Sequence, residues 1–359
     1  MEEKLNETKK IILVTQGEVN SGINKYTMNT FSVVRSNSEL YSIKFRNQQG
    51  NLKCGKTIEG IFPYGNSIFN LNSLMPSIAY KDFRNYLMDS KKRGSVIHVT
   101  SPHVIKVVPD FDNIVTIHDV SPFLPINYYN LEYILMRRLY AHYIKYDHIL
   151  TVSDYVKGKL IEMGPKGEVT RIYPYVSENF FPINEKQRLR KKYGLPLDKT
   201  LLISVSTNIK RKNLKVMPEI LSKLGNDYRL VRIGDEISNS YTFRPKDEME
   251  MNEIYNSCDA LISTSLDEGF GYPLVEAMKS GISVIVSDIP VHREIMGNYA
   301  NYFQAFDTKE ATTVIKESLT RTVQKNLEYE KWLDRYSYNR FTERMNLYYN
   351  DVLNMRGRN

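Results

Sequence analysis

Cysteine is scarce: Cys54 and Cys258 are the two among 359 residues. That excludes a disulfide framework and a cysteine-ligated zinc module, and it suits a reducing compartment. Histidine is also sparse, at six residues, and His142, His148 and His292 stand at no metal-ligating spacing. No protein-held metal and no cofactor are expected. Long apolar runs are missing as well. The opening MEEKLNETKK and the following IILVT form too short an apolar stretch for a signal peptide or a membrane span, so the chain reads as soluble and cytoplasmic. There is no internal repeat, no low-complexity tract and no dense basic arm.

What is present is an ordinary charged fraction of 25% with a net charge of +8. This composition rules out a disordered or fibrous chain. The basic excess fits either a solvated surface or an anionic partner such as a nucleotide or a lipid face; nucleic acid is not expected. Tyrosine is abundant, at 26 residues, and is read as packing material.

Short apolar, β-rich runs recur near residues 11–15, 40–45, 95–99, 113–117 and 148–152, and again near 200–205, 229–233, 259–263 and 282–287. Runs of this kind, separated by helix-compatible stretches, are the pattern of parallel strands covered on both faces. Two series split by the polar stretch 182–199 predict an α/β chain of two doubly wound parallel-sheet domains with a cleft between them. Residues 311–354 contain no proline and read as helix, whereas 46–95 read as loops and an irregular helix. The stretch 131–150 is largely apolar with Arg137, Arg138 and Lys145 interspersed, and is read as a packed helix with a membrane-surface role as the alternative.

The densest signal is DALISTSLDEGFGYPLVEAMKSGISVIVSDI, from Asp259 to Ile289. A strand ends in a loop holding Glu268, Gly269, Phe270 and Gly271. Pro273 suits a first helical position, and Gly281 suits the left-handed residue after a helix end. Loops at the carboxyl ends of such strands are where open α/β sheets bind ligands. Glycines admit a ligand close to the backbone, and free amides at a helix start attract phosphate. Glu276 is placed in the first turn of this helix, where a carboxylate either complements the dipole or serves a ligand. Asp110 and Asp112, a carboxylate pair of metal-binding appearance, are read as a turn.

The segment Glu268-Gly-Phe-Gly-Tyr-Pro-Leu-Val-Glu276-Ala-Met-Lys-Ser-Gly281 closely resembles the signature of glycosyltransferase family 4, two glutamates with seven residues between them. Four other stretches resemble that family in order: TLLISVSTNIKRKNL (200–214), with Arg211 and Lys212 in the matching basic loop; LTVSDYVKGKLIE (150–162); TIHDVSP (116–122), with His118; and IYPYVSENFFP (172–182). Gly17 and SGINKYT (21–27) resemble the glycine-rich loop of the first domain. The sequence departs from the pattern at Ser21-Gly22, where paired glycines are common, at Thr207, where arginine is frequent, and at Tyr175, where glycine is usual.

The resemblance implies two Rossmann-like domains of GT-B type. Residues 1–181 would bind the acceptor and 182–339 the nucleotide sugar, and a helix near 340–359 is free to pack back on the first domain. It implies a metal-independent, retaining hexosyl transfer from a UDP- or GDP-sugar to a glycan, lipid-linked or protein acceptor, with peripheral association at an inner membrane face as a further option. Arg211 and Lys212, with Gly22 and the Phe270, Gly271, Tyr272 and Leu274 region, would hold the donor diphosphate. Glu276 would hold the ribose, and Glu268 and His118 would stand at the reacting sugar. A nucleotide-sugar epimerase or phosphorylase on the same scaffold, or a non-catalytic binder of anionic ligands, are the competing readings.

Overall fold

The short apolar runs become the inner strands of two parallel sheets. The computed structural model describes residues 10–16, 22–44, 54–60, 75–108, 112–123, 134, 137, 141–320 and 326–356. Among these, the first sheet holds β1 (Ile11–Gln16), β2 (Ser38–Lys44), β3 (Lys56–Glu59), β4 (Val96–Val99), β5 (Ile114–Ile117), β6 (His148–Thr151) and β7 (Glu168–Arg171). Its order is β3-β2-β1-β4-β5-β6-β7. The second holds β8 (Thr200–Ser206), β9 (Tyr228–Gly234), β10 (Ser240–Phe243), β11 (Ala260–Ser263), β12 (Ser283–Ser287) and β13 (Asn301–Phe303), in the order β10-β9-β8-β11-β12-β13. Neighbouring strands pair in parallel throughout. Both orders reverse direction beside their first strand, which makes each sheet doubly wound with one topological switch point.

Helices cover the sheets because their apolar residues fall on one face. The helix Met217–Leu224 buries Met217, Ile220 and Leu224, at spacings of three and four, in the cluster that also contains Leu202, Leu230 and Ile262. Each such side chain contributes about 1.5–3 kcal/mol on burial. Local caps set the helix starts: Ser153 Oγ accepts from the Val156 amide, and the Asp247 carboxylate from the Glu250 amide.

The chain divides into one unit of residues 1–175 with 339–359 and another of 176–338. The division lies upstream of the residue 181 boundary read from sequence because the intervening segment is bonded to the second unit. The Val176 amide donates to Tyr336 O, the Phe181 amide to Asn252 Oδ1, and the buried Phe180 ring stands edge-on to Tyr255. The C-terminal stretch is not one helix as expected. It comprises helices Thr308–Ser318, Leu327–Asp334 and Tyr338–Arg356, the second opened by Asn326, whose Oδ1 caps the Tyr329 amide. Within the first unit, Tyr349 of the last helix meets His98 of β4 at 2.6 Å. Asp112 pairs with Lys91 at 3.2 Å, while Asp110 and most of 131–140 lie outside the described residues.

Candidate functional site

In the second sheet the switch point falls between β8 and β11, so the loops leaving these two strands diverge and border one crevice. The β8 loop ends in a short 3-10 turn, Lys210–Lys212, closed by Asn213 in the left-handed region at φ 51°. The two loops are knitted together. The Leu266 amide donates to Arg211 O at 2.7 Å, Thr264 Oγ1 to Lys212 O at 2.8 Å, and Arg211 Nη1 to Asp267 O at 3.0 Å.

This knitting brings three of the expected side chains into contact. Glu268 Oε2 accepts from Arg211 Nη1 at 3.1 Å, and Oε1 accepts from Lys212 Nζ and, at 2.8 Å, from Ser265 Oγ. The Arg211, Lys212 and Glu268 side chains are 15%, 14% and 13% exposed. Burial alone would raise the Glu268 carboxyl, but the Lys212 and Arg211 charges and the Lys212 hydrogen bond outweigh it and hold the group well below the usual carboxylate range. His292 lies near the same carboxylate. It is fully buried, and its Nδ1 lies 2.8 Å from Ser287 O, so Nδ1 carries the proton and Nε2 is a bare acceptor with no partner among the described residues.

The crevice opens as a recess bordered by Ser204, Ser206, Lys212, Ser265, Glu268 and Gly271, among others. Gly271 caps the helix Tyr272–Lys279 at φ +94°, where a Cβ would lie 3.1 Å from Leu274 Cδ1. The amides at this helix start are fewer than expected. Pro273 has none, and the Leu274 amide is spent on Gly271 O at 3.0 Å. Leu274 is buried and lines the recess. The Phe270 ring instead packs edge-on against Tyr272 and Tyr336, at 5.2 and 5.5 Å.

Glu276 departs from the expected position. The helix begins at Tyr272, with Pro273 second, so Glu276 is its fifth residue and no acidic side chain occupies the first turn. It does not line the recess. Its carboxylate is buried and Oε2 accepts from Tyr255 OH at 3.0 Å. Burial, then the Glu276 charge, raises Tyr255 well above the ordinary phenol value, so the phenol stays protonated and donates. Gly281 follows the helix at φ +83°; its amide donates to Met278 O and that of Ile282 to Ala277 O, which turns the chain into β12.

Gly22 and His118 belong to the first unit. Gly22 is exposed at the start of the helix Gly22–Val34, while Gly17 and Ser21 lie outside the described residues. His118 follows β5. Its Nε2 is 2.7 Å from Thr100 O, its ring stands edge-on to Tyr26 at 5.0 Å, and burial pulls its pKa down to about 4. His98 is fully buried between Tyr349 OH and Thr116 Oγ1, and burial lowers it to about 3. The sequence reading passed over Ser204, Ser206 and Ser265. Alternate serines at the carboxyl end of an otherwise apolar strand are the signal that marks the first two. Among the described residues no group of three His, Cys, Asp or Glu side chains is placed to hold a metal ion, and no helix is long and apolar enough to cross a membrane.

Residues 185–340 match the family model for glycosyl transferases group 1. The chain is 27% identical over 243 residues to the O-antigen chain mannosyltransferase RfbU of Salmonella typhimurium, a match covering 60% of this chain and 63% of that protein. It thus spans less than two thirds of that relative. In three dimensions it is similar to sucrose-phosphate synthase from Thermosynechococcus elongatus, with a TM-score of 0.75 at 15% identity over 97% of this chain and 100% of that one. It is likewise similar to HepE from Anabaena, solved in complex with UDP and glucose, with a TM-score of 0.72 at 13% identity over 95% and 99%. At these identities the structural likeness speaks for the fold.

Proposed function

We propose that the chain is a retaining glycosyltransferase that moves a hexosyl group from a nucleoside diphosphate sugar to a glycan, lipid-linked or protein acceptor. The observation that carries this reading is the Glu268–Arg211–Lys212 cluster at the switch point of the second sheet. Lys212 and Glu268 border one recess, with Arg211 held against the same carboxylate, and such a cluster suits a substrate that carries a diphosphate beside a polyhydroxylated ring. The sequence relationship to a mannosyltransferase makes mannosyl donors the first to test.

In the proposed reaction the bond from the anomeric carbon to the diphosphate oxygen breaks, and its electron pair leaves with the phosphate. Arg211 and Lys212 meet that charge with cations already in place, a preorganised electrostatic contribution. A new bond forms from the acceptor oxygen to the anomeric carbon on the face that the diphosphate leaves, and the acceptor proton passes to the departing phosphate oxygen. As the diphosphate takes over the two cations, the Glu268 carboxylate is released to bond the sugar hydroxyls. Glu276, oriented by the Tyr255 phenol, serves the ribose. His118 remains in the proposal as a hydrogen-bonding group. With Nε2–H committed to Thr100 O, its Nδ1 is the atom that accepts. The charge on the leaving group is met by side chains, so turnover is expected to continue in EDTA.

The test is a thermal-shift screen of UDP-, GDP- and ADP-sugars, then incubation of the stabilising donor without acceptor. Slow hydrolysis to free sugar of unchanged anomeric configuration supports the transferase. A free epimer supports the epimerase reading. If none of the donors stabilises the protein, the proposal fails.

A further inference from the structure

Arg232 lies in β9 and is the largest fully buried side chain among the described residues, with 0% exposure. It makes no ion pair among those residues. Every acceptor it reaches is neutral: Ser204 O at 3.0 Å and Ser204 Oγ at 2.9 Å from Nη1, Ser206 Oγ at 3.4 Å from the same nitrogen, Ser206 O at 2.6 Å from Nη2, and Asp235 O at 3.2 Å from Nε. The nearby Asp235 carboxylate accepts the Asn208 amide at 2.7 Å instead. The Asp235 charge favours the guanidinium from a distance, but a guanidinium sealed in protein with no carboxylate in contact is costly, and a packed apolar side chain would serve the strand better.

Its contacts place that charge against the recess. In the β8–β9 register Arg232 lies opposite Ser204 and Gly234 opposite Ser206. Gly234 is part of the fit: at φ +123° a Cβ there would come within 2.1 Å of Ser206 O and 3.3 Å of Arg232 Nη2. Ser204 and Ser206 both line the recess that Lys212 and Glu268 border. A hydroxyl that accepts a hydrogen bond from a cation turns its own proton elsewhere and becomes a stronger donor.

We propose that Arg232 is a positioning residue for an anionic ligand: it holds the Ser204 and Ser206 hydroxyls as donors into the recess and keeps a buried positive charge behind them, so that the recess takes a diphosphate. This rests on the reading of the recess as the donor-phosphate site and adds the second strand of the sheet to it.

Pyrophosphate is the probe, since it carries no base or sugar, and calorimetry on the full chain reads its dissociation constant. Arg232→Gln keeps hydrogen-bonding capacity and loses the charge, whereas Arg232→Lys keeps the charge. The expected result is about tenfold weaker binding for Arg232→Gln, a loss of about 1.4 kcal/mol, with Arg232→Lys staying within about threefold of the parent. Binding of Arg232→Gln within about twofold of the parent, or equal losses in both variants, overturns the inference. Should Arg232→Gln not fold, the Ser204→Ala/Ser206→Ala double variant decides. It leaves every backbone acceptor of the guanidinium in place, and it supports the inference by a tenfold loss and overturns it by none. Lys212→Ala separates the two levels of the argument. If pyrophosphate binds the parent and Lys212→Ala equally, the recess is not the phosphate site. If Lys212→Ala loses binding and Arg232→Gln does not, the role of Arg232 alone falls.

Discussion

Replacing Glu268 with glutamine should make the free protein less stable and its phosphate site stronger. The carboxylate accepts from Arg211, Lys212 and Ser265, and all three charged side chains are mostly buried. Glutamine keeps the shape and one acceptor oxygen but removes the negative charge that the two cations share. Breaking a buried pair costs about 3–5 kcal/mol, and residual exposure with the retained amide brings the expected loss to about 2–4 kcal/mol. For a unit of this size that corresponds to a fall in melting temperature of about 5–15 °C. The second limb follows from the same geometry. In the parent, a diphosphate must displace Glu268 from its cations, and that opposition disappears in the variant. Pyrophosphate should therefore bind about tenfold tighter, and saturating pyrophosphate should recover most of the lost stability because it binds only the folded chain. Turnover should nevertheless fall by orders of magnitude, since the group proposed to bond the sugar hydroxyls has gone. Scanning calorimetry with and without pyrophosphate reads both limbs. A melting temperature and an affinity both equal to the parent's would mean that the cluster does no energetic work, and the proposed exchange between carboxylate and phosphate would be refuted.

Three further outcomes are expected. Glu276→Ala should weaken binding of the nucleoside diphosphate while leaving pyrophosphate affinity unchanged, because Glu276 does not line the recess; Tyr255→Phe should show the same pattern more weakly, by about 1 kcal/mol for one lost hydrogen bond. Equal losses for both probes would reject a ribose role. Gly271→Ala should cost about 1–2 kcal/mol in chemical denaturation, as the residue sits at φ +94° with Leu274 in the way, and a neutral result would mean that the loop adopts another conformation. Stability should also decline in acid. His98 and His118 have folded pKa values near 3 and 4, below the ordinary 6.5, so their neutral forms favour the fold above pH 6.5. As pH drops from 6.5 towards 4 the unfolded chain takes up protons first, and each histidine removes about 1.4 kcal/mol per pH unit. Glu268, also depressed, contributes little between pH 7 and 5, because its stabilisation is lost only as pH falls through the ordinary carboxylate value of 4.5 and below. Urea midpoints that stay level between pH 7 and 5 would contradict the buried placement of the two rings.

What the residues disclosed about the fold follows one line. Among the described residues, the nine runs read as strands are the nine inner strands, and the four that went unread, β3, β7, β10 and β13, are the four sheet edges. Inner strands are covered on both faces and beside both neighbours, so IILVT and TLLISV must be apolar. Edge strands such as KTIE and EVTR keep one side open, and their polar residues erase the pattern. The long C-terminal helix was overread because the absence of proline does not exclude Asn326 as a cap.

The site divides in the same way. Arg211, Lys212 and Glu268 were legible together because their two stretches resemble one family's motifs, and the pairing of β11 with β8 is what sets those stretches side by side. Glu276 was not, since its distance from the recess depends on whether the helix opens at Tyr272 or Pro273, and a single residue rotates a side chain by about 100°. Arg232 was hidden for the opposite reason to the edge strands. Polarity in a sequence reports average exposure: a threonine or lysine on an edge strand conforms to that average, but a guanidinium inside β9 violates it and can do so only where partners absorb the charge. Those partners are serines on the neighbouring strand, 26 and 28 positions away, and no local pattern joins them to it. A fully buried arginine within a parallel strand that pairs beside a switch point is therefore a reason to look for an anion site on the next strand, before any ligand has been seen there.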